Sequence, residues 1–339
     1  GCRGPRIVPP GAPRNGFDIR AAWGILRDRE GRDMDYFFSR RTFNQSKGKF
    51  TKDFAALTRY ARVPEPIAEA GAAHLISRDQ WLQGVLSSAT TNDVVIFVHG
   101  FNTSQAEMLI RQRKIQGGLM AHGFGGAVIG LDWASDGVLS GYGRDRTDAK
   151  RTAPYLVLDG IGPILNARPG IRIHILAHSM GAYLTLRGFS QVGDSGAPGT
   201  HPWGVEQVLF LAADVTVGWM EAGAWGGLVM DHRCKRLTNY YSGFDDVLAL
   251  SEINHGGQAP KIGRNGMSGP LPGRFNDLYC GEQYDRTVPQ AQRSVRYSHT
   301  WYFDNAGVYQ DAARTLAGQS AATMPTRLPA SNGDQALRV

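Results

Sequence analysis

Residues 175–181 read Ile-Leu-Ala-His-Ser-Met-Gly, where an apolar run over 171–177 meets a helical pattern that starts at Ala182. This order places Ser179 on a sharp turn between a buried strand and a helix, the arrangement called a nucleophile elbow. The turn lifts the serine hydroxyl above the sheet, and small neighbours let the backbone pass closely. The usual pattern is Gly-x-Ser-x-Gly, and Ala177 replaces the first glycine. The alternative is an ordinary buried serine turn, and the rest of the chain decides between the two.

A second buried strand, expected over 93–99, leads into Gly100-Phe101-Asn102. Its unbroken β-branched run is typical of a strand that helices cover on both faces. Gly100 lets the backbone turn back over the elbow, so that the Phe101 N–H points to a reacting carbonyl oxygen. The Met180 N–H, at the start of the next helix, is the second expected donor. Phe101 and Met180 are therefore the predicted oxyanion-hole residues.

The strand end Val98–Asn102, the elbow and the segment Trp133-Ala134-Ser135 resemble the α/β-hydrolase superfamily of serine esterases and lipases. The likeness is strongest to a bacterial branch without assigned function, and it covers about residues 90 to 315. It implies the α/β-hydrolase fold, a doubly wound, mostly parallel sheet flanked by helices, here with an insertion before the last strand. It also implies that the catalytic residues follow the order serine, acid, histidine along the chain.

Three aspartates after the elbow are candidates for the acid. A strand over 237–242 leads into Gly243-Phe244-Asp245-Asp246-Val247, the loop in which the superfamily usually places this residue, and Asp245 is the predicted acid. Asp246 is expected instead to cap the helix that follows. Asp214 ends the preceding strand and stays open as an alternative, because some lipases carry the acid one strand earlier.

The general base is expected near the C-terminus. Residues 294–303 alternate like an exposed edge strand and contain His299, followed by aromatic residues. No other histidine follows His255, so His299 is the predicted base. His99 and His178 flank the site and are expected to pack and hydrogen-bond structurally. His174 lies on a buried strand and is expected to be a satisfied core residue.

The remaining pattern predicts one domain in which strands and helices alternate, as in a parallel sheet with helices on both faces. Short apolar runs at 36–38 and 74–76 are expected to be outer strands, followed by a helix near 79–88. The chain is predicted to begin with a flexible tether, 1–20, and to end with a flexible C-terminal tail, 321–339. Between them lies the α/β-hydrolase domain, 21–320, which contains a lid-like insertion over 254–290. The insertion is rich in Gly, Pro and Asn, and the alternative is a disordered surface excursion.

Charge and spacing exclude several classes of function. The net charge is +7, from 37 Lys and Arg against 30 Asp and Glu, but the basic residues are scattered. We therefore expect no nucleic-acid partner. No metal-ligand spacing and no phosphate-binding glycine motif occurs, so neither a metal nor another cofactor is expected. The sequence does not indicate an oligomeric state.

The three cysteines bear on location. Gly1-Cys2 precedes a Pro-rich stretch, and this is how a bacterial lipoprotein signal ends, with the cysteine then carrying a lipid anchor. The alternative is an incidental N-terminal cysteine. An exported protein would pair Cys234 with Cys280 in a disulfide. We therefore expect a periplasmic or outer-membrane lipoprotein of the bacterial cell envelope, with a cytoplasmic protein as the alternative.

Together these patterns predict a serine carboxylester hydrolase, similar to esterases and lipases, that acts on small-molecule or lipid-like esters. Ser179, His299 and Asp245 would form the triad and pass through an acyl-enzyme. Two alternatives stay open: an acyltransferase or thioesterase with the same triad, and a catalytically silent protein that binds a partner at the envelope.

Overall fold

A computed structural model describes residues 33–135, 141–194, 203–254, 259–330 and 333–339. The predicted tether over 1–20, including Cys2, lies outside these ranges, as do residues 21–32 of the predicted domain. The strands in the described part are β1 (Met34–Asn44), β2 (Lys49–Pro64), β3 (Leu75–Ile76), β4 (Asp93–Val98), β5 (Ala127–Asp132), β6 (Arg172–His178), β7 (Val205–Leu211), β8 (Cys234–Tyr241), β9 (Phe275–Tyr279), β10 (Arg327–Pro329) and β11 (Gln335–Leu337).

Helices connect most of these strands. They are α1 (Arg78–Ser88), α2 (Gln105–Ala121), α3 (Tyr142–Tyr155), α4 (Gly162–Ala167), α5 (Met180–Gln191), α6 (Val217–Met220), α7 (Trp225–Arg233), α8 (Asp246–Asn254), α9 (Ile262–Asn265), α10 (Gly281–Thr287), α11 (Val295–Thr300) and α12 (Ala306–Leu316). A π-helical stretch, Leu156–Ile161, joins α3 to α4. None of the helices in the described ranges is long and apolar enough to cross a membrane.

The described strands form one sheet in the order β10-β11-β9-β8-β7-β6-β4-β5-β1-β2-β3. The central pairs are all parallel, and antiparallel pairing occurs only at the two margins. The sequence of β4 explains its central place, since its side chains alternate between two cores. Val94, Ile96 and Val98 pack on one face of the sheet, whereas Val95 and Phe97 pack on the other. This confirms the predicted doubly wound, mostly parallel sheet flanked by helices.

The order of the strands positions the site. After β4 the chain adds β5 on one side, and β6 then pairs with the other side of β4. In open sheets of this kind, ligands bind where the connections diverge, beyond the carboxyl ends of the strands. The end of β4 and the end of β6 lie side by side at this point. These are the two segments on which the interpretation of the sequence depends.

The first two strands form a long hairpin that projects from the same edge. β1 pairs with β5 only as far as Ser39 and Asp132, and β5 ends there. β1 continues five residues further, to Asn44, and β2 returns antiparallel to it. At about 3.3 Å per residue, the hairpin rises roughly 16 Å above the edge of the sheet. The expected outer strands at 36–38 and 74–76 are present in β1 and β3.

The C-terminal third differs from the prediction in two places, the expected insertion and the expected tail. The expected insertion over 254–290 contains β9, a strand of the main sheet that pairs with β8. The expected tail over 321–339 contains β10 and β11, and β11 pairs with β9. A buried ion pair between Arg327 and Asp311, 2.7 Å long, fixes this segment to α12. Strands of three residues carry too little periodicity to be recognised in a sequence.

The segment around the predicted base also differs. Residues 295–300 form helix α11, followed by a 3₁₀ turn over Trp301–Asp304, instead of the expected edge strand. Ser294 starts the helix because its side chain accepts a hydrogen bond from the Tyr297 N–H. The alternation in the sequence was therefore misleading, although His299 remains one of the buried residues of α11.

The predicted disulfide is wrong. Cys234 begins β8 and Cys280 directly follows β9, and these strands run parallel with Tyr241 opposite Tyr279. The two cysteines therefore lie at opposite ends of the sheet, roughly 25 Å apart, whereas a disulfide needs Cα atoms within about 7 Å. Both are buried free thiols, and burial raises the pKa of Cys234 to about 12. This removes the support that the pair gave to export, and envelope location stays a prediction from Gly1-Cys2.

Candidate active site

Ser179 lies on the sharp turn between β6 and α5. Its backbone has φ 56° and ψ −122°, a conformation that a residue with a side chain rarely adopts. Hydrogen bonds brace the strained turn: the Ser179 N–H donates to Leu211 O at 3.0 Å, and the Asp214 N–H donates to Ser179 O at 3.1 Å. Gly181 is required because a Cβ there would meet the carbonyl oxygen of Val98. The elbow is therefore built by its neighbours on both sides.

Two further residues with side chains have positive φ among the described residues, Asn102 at 53° and Ala212 at 48°. Together with Ser179 they follow β4, β6 and β7 at the carboxyl edge of the sheet. Backbone strain of this kind costs of order 1–3 kcal/mol per residue and persists where the surroundings impose it, most often at functional sites. The strain thus marks this edge independently of any motif.

His299 and Asp245 contact each other at the same edge. His299 Nδ1 lies 2.7 Å from Asp245 Oδ2, and both residues are buried. Because a carboxylate only accepts hydrogen bonds, Nδ1 carries the proton and Nε2 is left with a lone pair. His299 Nε2 has no hydrogen-bond partner among the described residues. The structure therefore holds an imidazole whose outer nitrogen can accept a proton.

Asp245 also begins helix α8. Its Oδ1 accepts a hydrogen bond from the Leu248 N–H at 2.9 Å, which is the contact of an N-cap residue. Asp246, expected to be the cap, is instead the exposed first residue of the helix. One carboxylate therefore serves both purposes, since each of its two oxygens has its own partner. The helix dipole favours negative charge at this position.

Asp214, the alternative acid, has different partners. Its Oδ1 forms an ion pair with Lys261 Nζ at 2.9 Å, and its Oδ2 accepts from the Tyr142 hydroxyl at 2.6 Å. Both Asp214 and Lys261 are only 2% exposed. Neither oxygen of Asp214 contacts His299, so this carboxylate neutralises a buried ammonium group.

His178 lies between the elbow and His299. Its ring packs against that of His299 with centroids 4.6 Å apart, and its Nε2 lies 2.9 Å from the His299 carbonyl oxygen. Because a carbonyl only accepts, His178 Nε2 is the protonated nitrogen. Burial lowers the pKa of His178 well below its usual value, and the nearby His299 lowers it further. His178 is therefore a neutral support for the backbone of His299.

Met180 and Phe101, whose amides are predicted to form an oxyanion hole, both lie next to the elbow. Met180 is the first residue of α5, so its N–H has no acceptor within the helix. Phe101 follows Gly100, where an added Cβ would come within 2.8 Å of Ser179 Cβ. The loop after β4 therefore passes directly over the elbow. Neither amide donates to another described residue.

A buried polar network holds this loop, and sequence reasoning missed its two charged members. Asp132, at the end of β5, accepts from Arg41 Nε at 2.6 Å, and Arg41 in turn donates to Thr103 O at 2.9 Å. The ring of His99 stacks on that of Trp133 at 5.1 Å and accepts from the Trp133 N–H. Asp132 could have been recognised in the sequence, because it is a charged residue at the end of an apolar strand. No comparable pattern in the sequence marks Arg41.

The serine is not hydrogen-bonded to the histidine in this structure. The Ser179 hydroxyl makes no hydrogen bond to any described residue, so the structure brings together His299 and Asp245 but leaves the serine contact unmade. Such contacts are often long in free enzymes and tighten when substrate binds. No group of three His, Cys, Asp or Glu side chains in the described part of the chain is arranged to hold a metal ion.

Residues 75–266 match the model of a family described as alpha/beta hydrolase of unknown function (DUF900). This chain belongs to that family. The matched segment is more than half of the 339 residues and contains Ser179 and Asp245, whereas His299 lies beyond it. The resemblance inferred from the elbow and the end of β4 is thereby confirmed.

Individual relatives are more distant. Uncharacterized protein alr1448 of Nostoc sp. is 38% identical over 66 residues, which are 20% of this chain and only 17% of that protein. Esterase B of Lactobacillus rhamnosis has a TM-score of 0.42 at 10% identity, over 88% of this chain and 89% of its own. A cutinase-like protein of Cryptococcus sp. has a TM-score of 0.34 at 18% identity, over 68% and 96%.

Proposed function

We propose that this family member is a serine carboxylester hydrolase. Ser179 Oγ attacks the acyl carbon while His299 Nε2 takes its proton, and the proton then passes to the leaving alcohol. Water resolves the acyl-enzyme by the same route and releases the acid. Asp245 keeps the imidazole in the required tautomer and stabilises its cation. The amides of Phe101 and Met180 would bind the negative oxygen of each tetrahedral intermediate.

The observation that carries this proposal is the pairing of His299 with Asp245 beside a strained serine. The 2.7 Å contact occupies Nδ1 and leaves Nε2 available. Ser179 belongs to the same edge, because the residue before it, His178, packs on the His299 ring. A purely structural histidine would have no need for a buried carboxylate on one side and an unoccupied nitrogen on the other.

The experiment is the substitution Ser179→Ala, with Ser190→Ala as its matched control. Ser190 lies on the same helix but is exposed, and its hydroxyl donates to the Arg187 carbonyl oxygen. We expect Ser179→Ala to fold normally and to lose about 10⁴-fold or more in kcat toward 4-nitrophenyl butyrate. Ser190→Ala should keep its activity. Normal activity in Ser179→Ala would rule out this nucleophile.

Two additional measurements separate the proposal from its alternatives. A fluorophosphonate should label the wild-type chain once and leave Ser179→Ala unlabelled, since it reacts with an activated serine. Labelling at another serine would contradict the assignment, and no labelling with no turnover would favour a silent binding protein. Products formed with added alcohols or thiols would identify an acyltransferase, and faster cleavage of thioesters than of matched esters would identify a thioesterase.

A further inference from the structure

Arginine side chains and aromatic rings from four helices meet on the outer side of α5. They are Arg146 of α3, Tyr183 and Arg187 of α5, Trp219 of α6 and Trp225 of α7. We call these five residues the arginine–aromatic cluster. Tyr183 is buried, whereas the other four residues are partly exposed, so the cluster reaches the surface. The proposed mechanism uses none of these side chains.

The cluster lies on the same face of α5 as the proposed nucleophile. Ser179 immediately precedes α5, and Tyr183 and Arg187 follow it at intervals of four residues, the spacing that places side chains on one face of a helix. The Cα of Arg187 is therefore about 12 Å from that of Ser179 along the helix. The Arg187 guanidinium carbon lies 5.4 Å from the ring centre of Tyr183, one turn nearer to Ser179. A substrate that reacts at Ser179 could therefore reach the cluster with its far end.

The aromatic rings hold the two guanidinium groups by their faces. The guanidinium carbon of Arg146 lies 4.0 Å from the ring centre of Tyr183, and that of Arg187 lies 4.6 Å from the ring centre of Trp225. Trp219 contacts both arginines, with distances of 5.6 and 5.7 Å. A ring face attracts a cation, whereas the N–H bonds of a guanidinium lie in its own plane. Stacking therefore positions both groups and leaves their N–H edges available.

The N–H groups of both arginines have few partners. Arg187 donates no hydrogen bond to a described residue, although its Nε is buried. Arg146 donates from Nη1 to the Tyr142 hydroxyl at 3.2 Å and to no other described residue. A guanidinium has five N–H groups, and a buried donor without an acceptor is costly. The cluster therefore offers positioned N–H groups to a ligand that carries acceptor oxygens.

No carboxylate contacts the two guanidinium groups directly. Neither Arg146 nor Arg187 forms an ion pair with a described residue. The acidic residues on and beside the four helices have other partners: the Ser135 hydroxyl for Asp145, Arg151 for Asp148, the Ser268 hydroxyl for Glu221 and Arg274 for Asp231. Because both guanidinium groups contact Tyr183, their charges lie at most about 9 Å apart and repel each other. An anion bound between them would relieve this repulsion.

We propose that the arginine–aromatic cluster binds an anionic oxygen group, a carboxylate or a phosphate, at the far end of the ester substrate. The inference rests on the proposed function and specifies its substrate class. The N–H edges of Arg146 and Arg187 would donate charge-assisted hydrogen bonds to the anion. Since the spacing along α5 is about 12 Å, a chain of roughly six to eight carbons should separate the anion from the reacting carbonyl.

The test compares ethyl esters that differ in charge and in length, with hydrolysis followed by the release of ethanol. The long pair is monoethyl suberate and ethyl octanoate, and the short pair is monoethyl succinate and ethyl butyrate. Ethyl 8-phosphonooctanoate replaces the suberate to present a phosphate-like group. We expect the ratio of kcat/KM for the anionic and the neutral ester to be about tenfold higher in the long pair than in the short pair, for at least one of the two anions. Equal ratios for both anions would overturn the inference.

Substitutions of the two arginines locate the effect. Arg146→Met and Arg187→Met each keep an unbranched side chain that can pack on the same rings, but they remove the charge and the N–H groups. In each variant the long-pair ratio should fall about tenfold, mainly through KM. Lys150→Met is the matched control, because Lys150 is exposed on α3 outside the cluster and its replacement also removes one positive charge. A long-pair ratio that survives both arginine substitutions would overturn the inference.

A lysine variant covers the case in which a methionine variant does not fold. Arg146→Lys or Arg187→Lys keeps the charge that the rings stabilise but lacks the planar N–H edge. The long-pair ratio should still fall in these variants, and an unchanged ratio would contradict the role assigned to the guanidinium edge.

A failure of the proposed function is recognised separately, because a chain inactive toward all these esters has no esterase activity to modulate. In that case, calorimetric titration of Ser179→Ala with suberate and with inorganic phosphate tests the cluster directly. Binding that weakens about tenfold in Ser179→Ala/Arg146→Met/Arg187→Met would support the cluster as an anion site. Absence of binding, or equal binding in both proteins, would overturn it.

Discussion

The surroundings of Asp245 and Asp214 differ although the two residues are topologically alike. Each follows one of two neighbouring parallel strands, β8 and β7, and each is buried, with 0% and 2% exposure. Asp245 contacts an imidazole and the first turn of a helix. Asp214 contacts the Lys261 ammonium and the Tyr142 hydroxyl. The position at a strand end is therefore the same, and the partner decides what the carboxylate can do.

Asp277 on the next strand, β9, extends the comparison. It accepts from the Asn239 side chain at 2.7 Å and from the Met267 N–H at 2.6 Å, both of them neutral donors. Burial raises the pKa of Asp277 to about 7, and the neutral donors offset this only in part. Three buried carboxylates on consecutive strands thus face an imidazole, an ammonium group and amides. Each arrangement predicts a different result on substitution.

The largest expected effect is on catalysis. Asp245→Asn should lower kcat by about 10³–10⁴-fold, because the amide N–H₂ that replaces Oδ2 would oppose the Nδ1 proton and favour the wrong tautomer of His299. The asparagine side chain can still cap α8, so the thermal midpoint should change little. Steady-state ester hydrolysis and a thermal melt measure the two quantities.

Asp246→Asn is the matched control for this prediction. It makes the same chemical change one residue further on, at an exposed position, and should leave kcat within a few-fold of wild type. If Asp246→Asn were inactive and Asp245→Asn normal, the contact between Asp245 and His299 would have no part in the reaction.

The second expected effect is on stability. Asp214→Asn leaves the Lys261 ammonium buried without a counter-charge, which should lower the free energy of unfolding by roughly 3–5 kcal/mol. The folded fraction should stay active, because Asp214 does not contact His299. Urea denaturation measures the loss. Asp214→Asn/Lys261→Met, which removes both charges, should recover much of it.

This prediction can fail in an informative way. If Asp214→Asn loses activity to the extent expected for Asp245→Asn, with no change in stability, the catalytic acid follows β7 and the comparison is reversed. If the double variant is no more stable than the single one, the ion pair with Lys261 is not what Asp214 contributes.

The smallest expected effect is a change in pH dependence. Because the pKa of Asp277 is about 7 in the folded chain and about 4 when unfolded, the folded state binds this proton more tightly. The carboxyl group therefore contributes stability below pH 4 that is lost as pH rises to about 7, by at most about 4 kcal/mol. Asp277→Asn removes this contribution. The free energies of unfolding of wild type and Asp277→Asn are measured from pH 4 to pH 8. As the pH rises, the variant should become more stable relative to wild type. Curves that stay parallel over this range would contradict the environment assigned to Asp277.

Local patterns were enough for the centre of the fold. β4 and β6 are unbroken apolar runs because helices cover both faces of a parallel sheet, and such runs are visible in one dimension. The elbow at Ser179 is equally local, since a strained strand–turn–helix needs small residues next to it. The margins were harder to predict. β10 and β11 have three residues each and depend on a buried ion pair rather than on periodicity.

Other failures came from treating separation along the chain as if it were distance. Cys234 and Cys280 suggested a disulfide, yet parallel strands place them at opposite ends of the sheet. Arg41 and Asp132 are ninety-one residues apart and still form a 2.6 Å contact in the network that holds the loop after β4. No periodicity relates such residues, because the sheet order brings β1 beside β5.

The sequence by itself determined the family and placed the elbow at Ser179, because a strained turn and a buried strand leave their marks on adjacent residues. Which aspartate meets the histidine was decided by the tertiary structure. Asp214 forms an ion pair with Lys261, whereas Asp245 forms a hydrogen bond with His299. Both contacts join segments that are distant in sequence. Burial is what makes them decisive, since a charge removed from water must be paired with whatever the fold places beside it.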